Sequence, residues 1–224
     1  MQIGVFFDLD GTLATVHVWQ AITRHHRQKG VQRLALGWFL ATHYPMFALY
    51  KMHLVSRTDA YSTWARDMAW LIGGMTLAQG QAVFDWVADA QVIPSCRPDM
   101  LAVLRDHQAQ GHRVVLVSGT FQPLLETIAA RLGVGECVGT LVEVRNGRYT
   151  GRALPPACLG PGKAVRLRQY LAAPGAVIDL TQSFAYADGE WDIPVLELVG
   201  HPVAVYPDGG LLAEARKRGW RVIP

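Results

Sequence analysis

Short apolar runs recur at Ile3–Phe7, Arg113–Val117, Phe184–Ala187 and Pro202–Tyr206. Each of the last three gives way to turn residues and then to a stretch with helical spacing. Such runs, alternating with helices, predict parallel strands covered on both faces. Between the first two runs the pattern changes. From Val16 to Gln91 no comparable run occurs, and the spacing predicts helices over Val16–Lys29, Val31–His43, Met46–Val55, Thr58–Leu71 and Leu77–Asp89. Gly73-Gly74 and Pro94 mark breaks. A helical insert, residues 16–91, thus divides an α/β core formed by residues 1–15 and 92–224. Further on, Leu141–Val144 and Arg148–Thr150 flank Asn146-Gly147, a dipeptide suited to a two-residue hairpin turn. The chain closes with Pro207-Asp208-Gly209-Gly210, a helix to Arg218 and a short strand over Trp220–Ile223.

Composition narrows the class. Half of the 224 residues are apolar, enough to bury a large core and to exclude a disordered chain. The formal charge of +3 does not point to nucleic acid. Cys96, Cys137 and Cys158 form neither a CxxC pair nor a zinc spacing, which suits a reducing compartment. The first apolar run lacks a charged leader and ends in acids, so a soluble, cytoplasmic protein is expected. Leu34–Tyr50 is apolar but for Thr42 and His43, and it contains Gly37 and Pro45. Its 17 residues fall short of the roughly 20 a membrane span requires.

Chemistry gathers where the strands end, the usual ligand side of an open α/β sheet. The first run meets Asp8-Leu9-Asp10-Gly11-Thr12, and the second meets Ser118-Gly119-Thr120. The third meets Asp188, with Asp192 following, and Lys163 opens the helix of "GPGKAVRLRQYL". Taken singly, Lys163 fits a solvated helix residue, and Ser118 and Asp192 fit helix N-caps. Gly160-Pro161-Gly162-Lys163 is not a nucleotide P-loop, because positions 157 and 164 are both Ala.

Taken in order, the motifs resemble those of the haloacid dehalogenase-like superfamily, in particular its phosphoserine-phosphatase-like branch. The resemblance rests on Asp8-Leu9-Asp10-Gly11-Thr12, Ser118, Lys163, and Asp188 with Asp192. It implies a Rossmann-like, doubly wound parallel sheet with a small all-helical cap inserted after the first strand. It further implies an Mg²⁺-dependent phosphomonoester hydrolase. Asp8 would be the nucleophile that forms an aspartyl-phosphate, and Asp10 the general acid and base. Asp8, Asp188 and the main-chain carbonyl of Asp10 would hold the metal, with Asp192 orienting its water or Lys163. Ser118, Gly119 and Lys163 would hold phosphate oxygens. Dehalogenases of the superfamily lack the second aspartate, so Asp10 favours phosphate chemistry.

The resemblance thins in the insert. The acid that would hold a substrate ammonium is replaced by His17, and the carboxylate-binding arginine is matched only by Arg66. Trp191 stands where the final motif often has Asn. A small phosphorylated metabolite, phosphoserine-like or other, is the expected substrate. The insert carries no acid between Asp10 and Asp59, yet it contains Arg24, Arg27, Lys29, Arg33, Lys51 and Arg57. That bias supports an alternative, a lipid-phosphate phosphatase whose cap touches an anionic membrane. The competing reading packs Trp38, Phe39 and Phe47 inside the cap or against a second copy. His25 and His26 fit either solvated helix residues or guides for phosphate. A third class, a non-catalytic phosphoester-binding protein, would require a lost motif residue. The oligomeric state is left open.

Overall fold

The computed structural model describes residues 1–52, 54–173 and 177–224. Its elements run β1 (Gly4–Phe7), α1 (Val18–Lys29), α2 (Arg33–Lys51), α3 (Arg57–Asp67), α4 (Leu77–Val87) and α5 (Pro98–Ala109). Then come β2 (Arg113–Phe121), α6 (Gln122–Arg131), β3 (Glu136–Thr140), β4 (Val142–Arg145), β5 (Arg148–Ala153) and α7 (Pro161–Leu171). The chain finishes with β6 (Phe184–Ala187), α8 (Ile193–Leu196), β7 (His201–Val205), α9 (Gly209–Arg218) and β8 (Arg221–Ile223).

Six strands form one parallel sheet in the order β3-β2-β1-β6-β7-β8. The order reverses between β1 and β6, so the switch point, where such folds open a crevice, lies between these two strands. Alternation along β1 sends Val5 and Phe7 into one core and Phe6 into the other. The first core also takes Leu116 from β2, Leu104 from α5 and the buried side of the helical insert. The second joins Val115 and Val117 to Ala164 and Leu167 of α7 and Leu211 of α9. Each layer is apolar on both sides, as the continuous runs predict.

Three local expectations are corrected. The break expected near Pro45 is absent: α2 runs unbroken from Arg33 to Lys51 with Pro45 inside it. Ala41 and Pro45 are both exposed, so the carbonyl deprived of a donor by proline faces solvent. The tail of the helix expected over Met46–Val55 includes residue 53, outside the described residues. The helix expected over Thr58–Leu71 ends at Asp67 and tightens into a 3₁₀ turn over Met68–Ile72. Strand β3 has no counterpart among the predicted runs, because Glu136–Thr140 carries a charge, a glycine and only one β-branched apolar residue.

The hairpin forms as expected around Asn146 and Gly147, both with positive φ (49° and 70°). It also braces the insert. Tyr149 packs edge-on against Phe84 of α4, and its N–H donates to the Met75 carbonyl at 2.9 Å. Within the insert, His25 and His26 are buried rather than solvated. The His26 Nε2–H donates to the Leu71 carbonyl at 2.8 Å, which ties α1 to the 3₁₀ turn. No described helix is long and apolar enough to cross a membrane.

Candidate active site

The site begins where β1 stops. The Asp8 N–H donates to the Tyr186 carbonyl of β6 at 2.9 Å, which continues the ladder one residue past the strand. The carboxylate therefore emerges at the switch point beside the end of β6, where Asp188 stands. A tight turn follows, in which the N–H groups of Leu13 and Ala14 both donate to the Leu9 carbonyl (3.0 and 2.9 Å). Gly11 sits in that turn with φ +90°, and a Cβ there would lie 2.0 Å from Asp188 Oδ2. Only glycine lets the β1 turn approach the Asp188 carboxylate so closely. Thr12 is fully buried, and its hydroxyl lies 3.1 Å from Asp8 Oδ2 and 3.3 Å from Asp188 Oδ1.

Asp10 points the other way along the turn. Its Oδ1 accepts the Val18 N–H at 3.0 Å, at the first residue of α1. One carboxylate thus joins the core turn to the entrance of the helical insert. Burial, and then the negative charge of Asp8, push its pKa up to about 7 despite that hydrogen bond. A carboxylic acid held there can carry a proton at neutral pH.

Ser118 and Gly119 do not follow the strand, as expected, but lie within it. β2 extends to Phe121, with its pairing to β3 shifting register between Val117 and Phe121. Ser118 is buried and its Oγ accepts the Thr120 N–H at 3.2 Å. Thr120 is buried as well, and its own hydroxyl finds no hydrogen-bond partner among the described residues. Both side chains line the cavity above the carboxylates. A buried hydroxyl without a partner is costly unless a ligand completes it. Sequence reasoning missed Thr120; the available signal was a second hydroxyl two positions after Ser118.

Lys163 lies in the first turn of α7 and is buried. Its Nζ donates to Asp8 Oδ1 at 2.6 Å and also to Asp192 Oδ1. Burial alone would lower its pKa, but the Asp192 and Asp8 carboxylates outweigh burial and raise it, so the ammonium stays charged. Asp192 is raised to about 6 by burial, against the lowering influence of Lys163. Asp188 is raised further, to about 8, by burial and by the charges of Asp8 and Asp192.

Oxygen atoms of Asp8, Asp188 and Asp192 all lie within 4.8 Å of one another. With Asp10 beside them, four carboxyl groups face one buried ammonium among the described residues, so the described cluster is short of positive charge. Hard oxygen donors short of positive charge suit a divalent cation such as Mg²⁺. The donor set therefore fits the metal inferred from the sequence, and it places Asp192 among the converging oxygens as well as on Lys163.

Above this floor lies a cavity of about 500 Å³, roofed by the insert. His17 lines it at an exposed rim position. Arg66 does not line it. Its Nε donates to Asp67 Oδ1 at 2.7 Å and its side chain is 61% exposed. Trp191 lines the cavity from the core side, its ring 5.5 Å from that of Tyr61 in the insert. Asp208, unassigned from the sequence, caps α9 through the Leu211 N–H at 2.7 Å and also lines the cavity.

Comparison with known proteins adds three findings. The profile of the haloacid dehalogenase-like hydrolase family matches residues 5–197. Among named relatives, Phosphoserine phosphatase SerB1 of Mycobacterium tuberculosis is 30% identical over 99% of this chain and 70% of its own length. Histidinol-phosphatase of Neisseria meningitidis is 34% identical over 59% of this chain, and the match spans only 60% of that protein. A crystal structure of a protein of unknown function from Bordetella pertussis superposes with a TM-score of 0.81 at 28% identity. That superposition covers 100% of this chain and 99% of the Bordetella one.

Proposed function

The chain belongs to the haloacid dehalogenase-like hydrolase family, and on that premise we propose an Mg²⁺-dependent phosphomonoesterase working through a phosphorylated Asp8. That it is a phosphatase follows from the family and from relatives bearing that name. The observation that carries the mechanism is the pairing of two unlike carboxyl groups on one turn. Asp8 is ion-paired to Lys163, whereas Asp10 is pushed up to about 7.

Asp8 attacks phosphorus while the bond to the leaving oxygen breaks. Asp10 gives that oxygen its proton, so the product departs as an alcohol. In the second half, Asp10 takes a proton from the water that attacks the acyl phosphate, and inorganic phosphate leaves with Asp8 regenerated. Lys163, the Ser118 and Thr120 hydroxyls and the Gly119 N–H supply donors to the phosphoryl oxygens. Asp8, Asp188 and the main-chain carbonyl of Asp10 would hold Mg²⁺, with Asp192 steadying Lys163. When bound, the ion would supply the positive charge that the four carboxyl groups lack and so offset the negative charge of the phosphoryl group.

The test uses p-nitrophenyl phosphate with Mg²⁺. Wild type releases p-nitrophenol, and Asp8→Asn lowers kcat by about 10³-fold or more. Full activity in that variant, or activity surviving complete chelation with EDTA, contradicts the reading. SerB1 and the Neisseria protein carry names for different substrates. Their likeness to this chain therefore supports the phosphoryl chemistry, not one leaving group.

A second reading, action on a lipid phosphate at an anionic bilayer, is favoured by the outer side of α2. Leu34, Trp38, Ala41, Pro45, Leu49 and Met52 make an exposed apolar stripe along that helix. Arg33 and Lys51 flank it, Arg27 and Lys29 lie nearby in sequence, and none of the four forms an ion pair among the described residues. Unpaired cations around an apolar stripe complement an anionic lipid surface. Sedimentation with phosphatidylglycerol vesicles at low salt, and release at high salt, is the expected result. Free protein at low salt, or a dimer formed without vesicles, contradicts it.

A further inference from the structure

Above the phosphoryl site the cavity is walled largely by aromatic and apolar side chains of the insert. Its wall from the insert includes Trp19, Phe39, Leu40, Phe47, Tyr61 and Trp64. Among the described residues of the insert that line it there is no Asp, Glu, Lys or Arg. Among the described residues, the acidic and basic side chains that line it belong, Asp208 apart, to the carboxylate and lysine cluster on the floor, and Asp208 is committed to the α9 cap. The polar side chains on the insert wall are uncharged hydroxyl, amide and imidazole groups, those of Tyr44, Tyr61, Gln20, His17 and His43. His17 and Gln20 sit at exposed positions. His43 is buried, its Nδ1–H donating to the Phe39 carbonyl at 2.8 Å and its Nε2 lying 3.5 Å from Asp67. The guanidinium that could have met a carboxylate, Arg66, is paired with Asp67.

We propose that the substrate is a phosphomonoester whose alcohol carries a bulky, uncharged apolar body, aromatic or aliphatic, seated among the insert's aromatic side chains. This inference rests on the phosphomonoesterase reading above and names its substrate class. The physical reason is desolvation. An amino-acid phosphate would bring an ammonium and a carboxylate into a wall that offers neither a counter-ion, and each would leave its water uncompensated. An apolar body loses nothing of that kind and gains by burial. A cavity of this size lies in the range of roughly 300–1,000 Å³ that encloses a drug-sized ligand, so the alcohol can extend well beyond a three-carbon fragment. Trp191, the departure noted in the final motif, fits the same purpose: its ring meets Tyr61 and continues the apolar wall from the core side.

The test is a kcat/KM series on wild-type enzyme with Mg²⁺, following released phosphate. The esters are 1-naphthyl phosphate, straight-chain alkyl phosphates of increasing length, glycerol 3-phosphate, phosphoserine and phosphocholine, with p-nitrophenyl phosphate as the reference. The expected result is octyl phosphate, whose alkoxide leaves no more easily than that of serine, about 100-fold or more above phosphoserine, with 1-naphthyl phosphate judged against p-nitrophenyl phosphate because both release activated phenols. Along the alkyl series each methylene that enters the cavity raises kcat/KM about fourfold. The aromatic and alkyl arms tell a ring-shaped body from a chain. In Phe47→Ala the ratio of naphthyl phosphate to phosphoserine should narrow about tenfold, a ratio that partial misfolding does not change. Phosphoserine equal to or better than octyl phosphate overturns the inference while leaving the phosphatase reading intact. So does a preference for phosphocholine, which would mean that the aromatic faces hold a cation. No phosphate from any ester, p-nitrophenyl phosphate included, contradicts the phosphatase reading itself.

Discussion

The floor of the site and its roof are made by opposite rules. On the floor, Asp8, Asp10, Asp188, Asp192 and Lys163 crowd into a buried space, and each is anchored to the end of a strand or the start of a helix. The roof has aromatic side chains on helices and, among the described residues, no Asp, Glu, Lys or Arg lining the cavity. Charge is expensive to bury, so it must be held by rigid elements and matched. Apolar packing is permissive, and many sequences can line a pocket of similar shape. On the reading proposed above, the floor sets the reaction and the roof the leaving group, and the two should respond to mutation differently.

The largest effect after loss of the nucleophile belongs to Asp10. Asp10→Asn should lower kcat/KM about 10²- to 10⁴-fold on an alkyl phosphate, whose leaving oxygen needs the proton. The loss in kcat/KM, which reports the first half-reaction alone, should shrink with p-nitrophenyl phosphate, whose leaving group departs unprotonated. Equal losses in kcat/KM on both esters would place Asp10 in a purely structural role. Thr120→Val, which keeps the shape and removes the unpartnered hydroxyl, should lower kcat/KM about tenfold, one hydrogen bond to a charged group. No change would mean that the hydroxyl does not meet phosphate.

The roof answers to pH through its stability. His26 is held at about 4 by burial, well below the roughly 6.5 of an unfolded chain. Between those values the unfolded state binds more protons, so this residue's contribution makes folding stability rise with pH. It is lost as pH falls from about 6.5 towards 4. Compared with His26→Gln, wild type should lose about 1.4 kcal/mol more per pH unit across that window, read by chemical denaturation. Parallel stability curves would show that His26 titrates normally in the folded protein. The smallest effect expected is that of Arg66→Ala. Its side chain faces solvent and Asp67, so kcat/KM on every ester should stay within about twofold. A selective loss with phosphoserine would put Arg66 back over the cavity.

The same contrast explains what could be read from the chain. Strand-end acids are a local pattern: an apolar run followed at once by Asp8-Leu9-Asp10 leaves few places for those side chains, and they converge with Asp188, Asp192 and Lys163. Their convergence across 180 residues of sequence depends on sheet order, which no single run encodes. Strand β3 escaped notice because Glu136, Gly139 and Thr140 dilute its apolar signal. Pro45 pointed to a break that α2 avoids by turning the proline to solvent. The cavity was hidden for another reason. Phe39, Phe47, Tyr61 and Trp64 have the spacing of core residues and do pack in pairs, Phe39 beside Trp64 and Phe47 edge-on to Tyr61; only the assembled helices show that they also border an opening.

The central claim is that phosphate passes through a covalent stage on Asp8. The direct measurement is rapid acid quenching of wild-type enzyme during turnover with Mg²⁺, followed by mass spectrometry of the peptide that contains Asp8. The account predicts one added phosphoryl group on Asp8, absent from Asp8→Asn and accumulating in Asp10→Asn when p-nitrophenyl phosphate is the substrate. Steady release of phosphate with that peptide unmodified at every quench time, alongside an active Asp8→Asn enzyme, would contradict it.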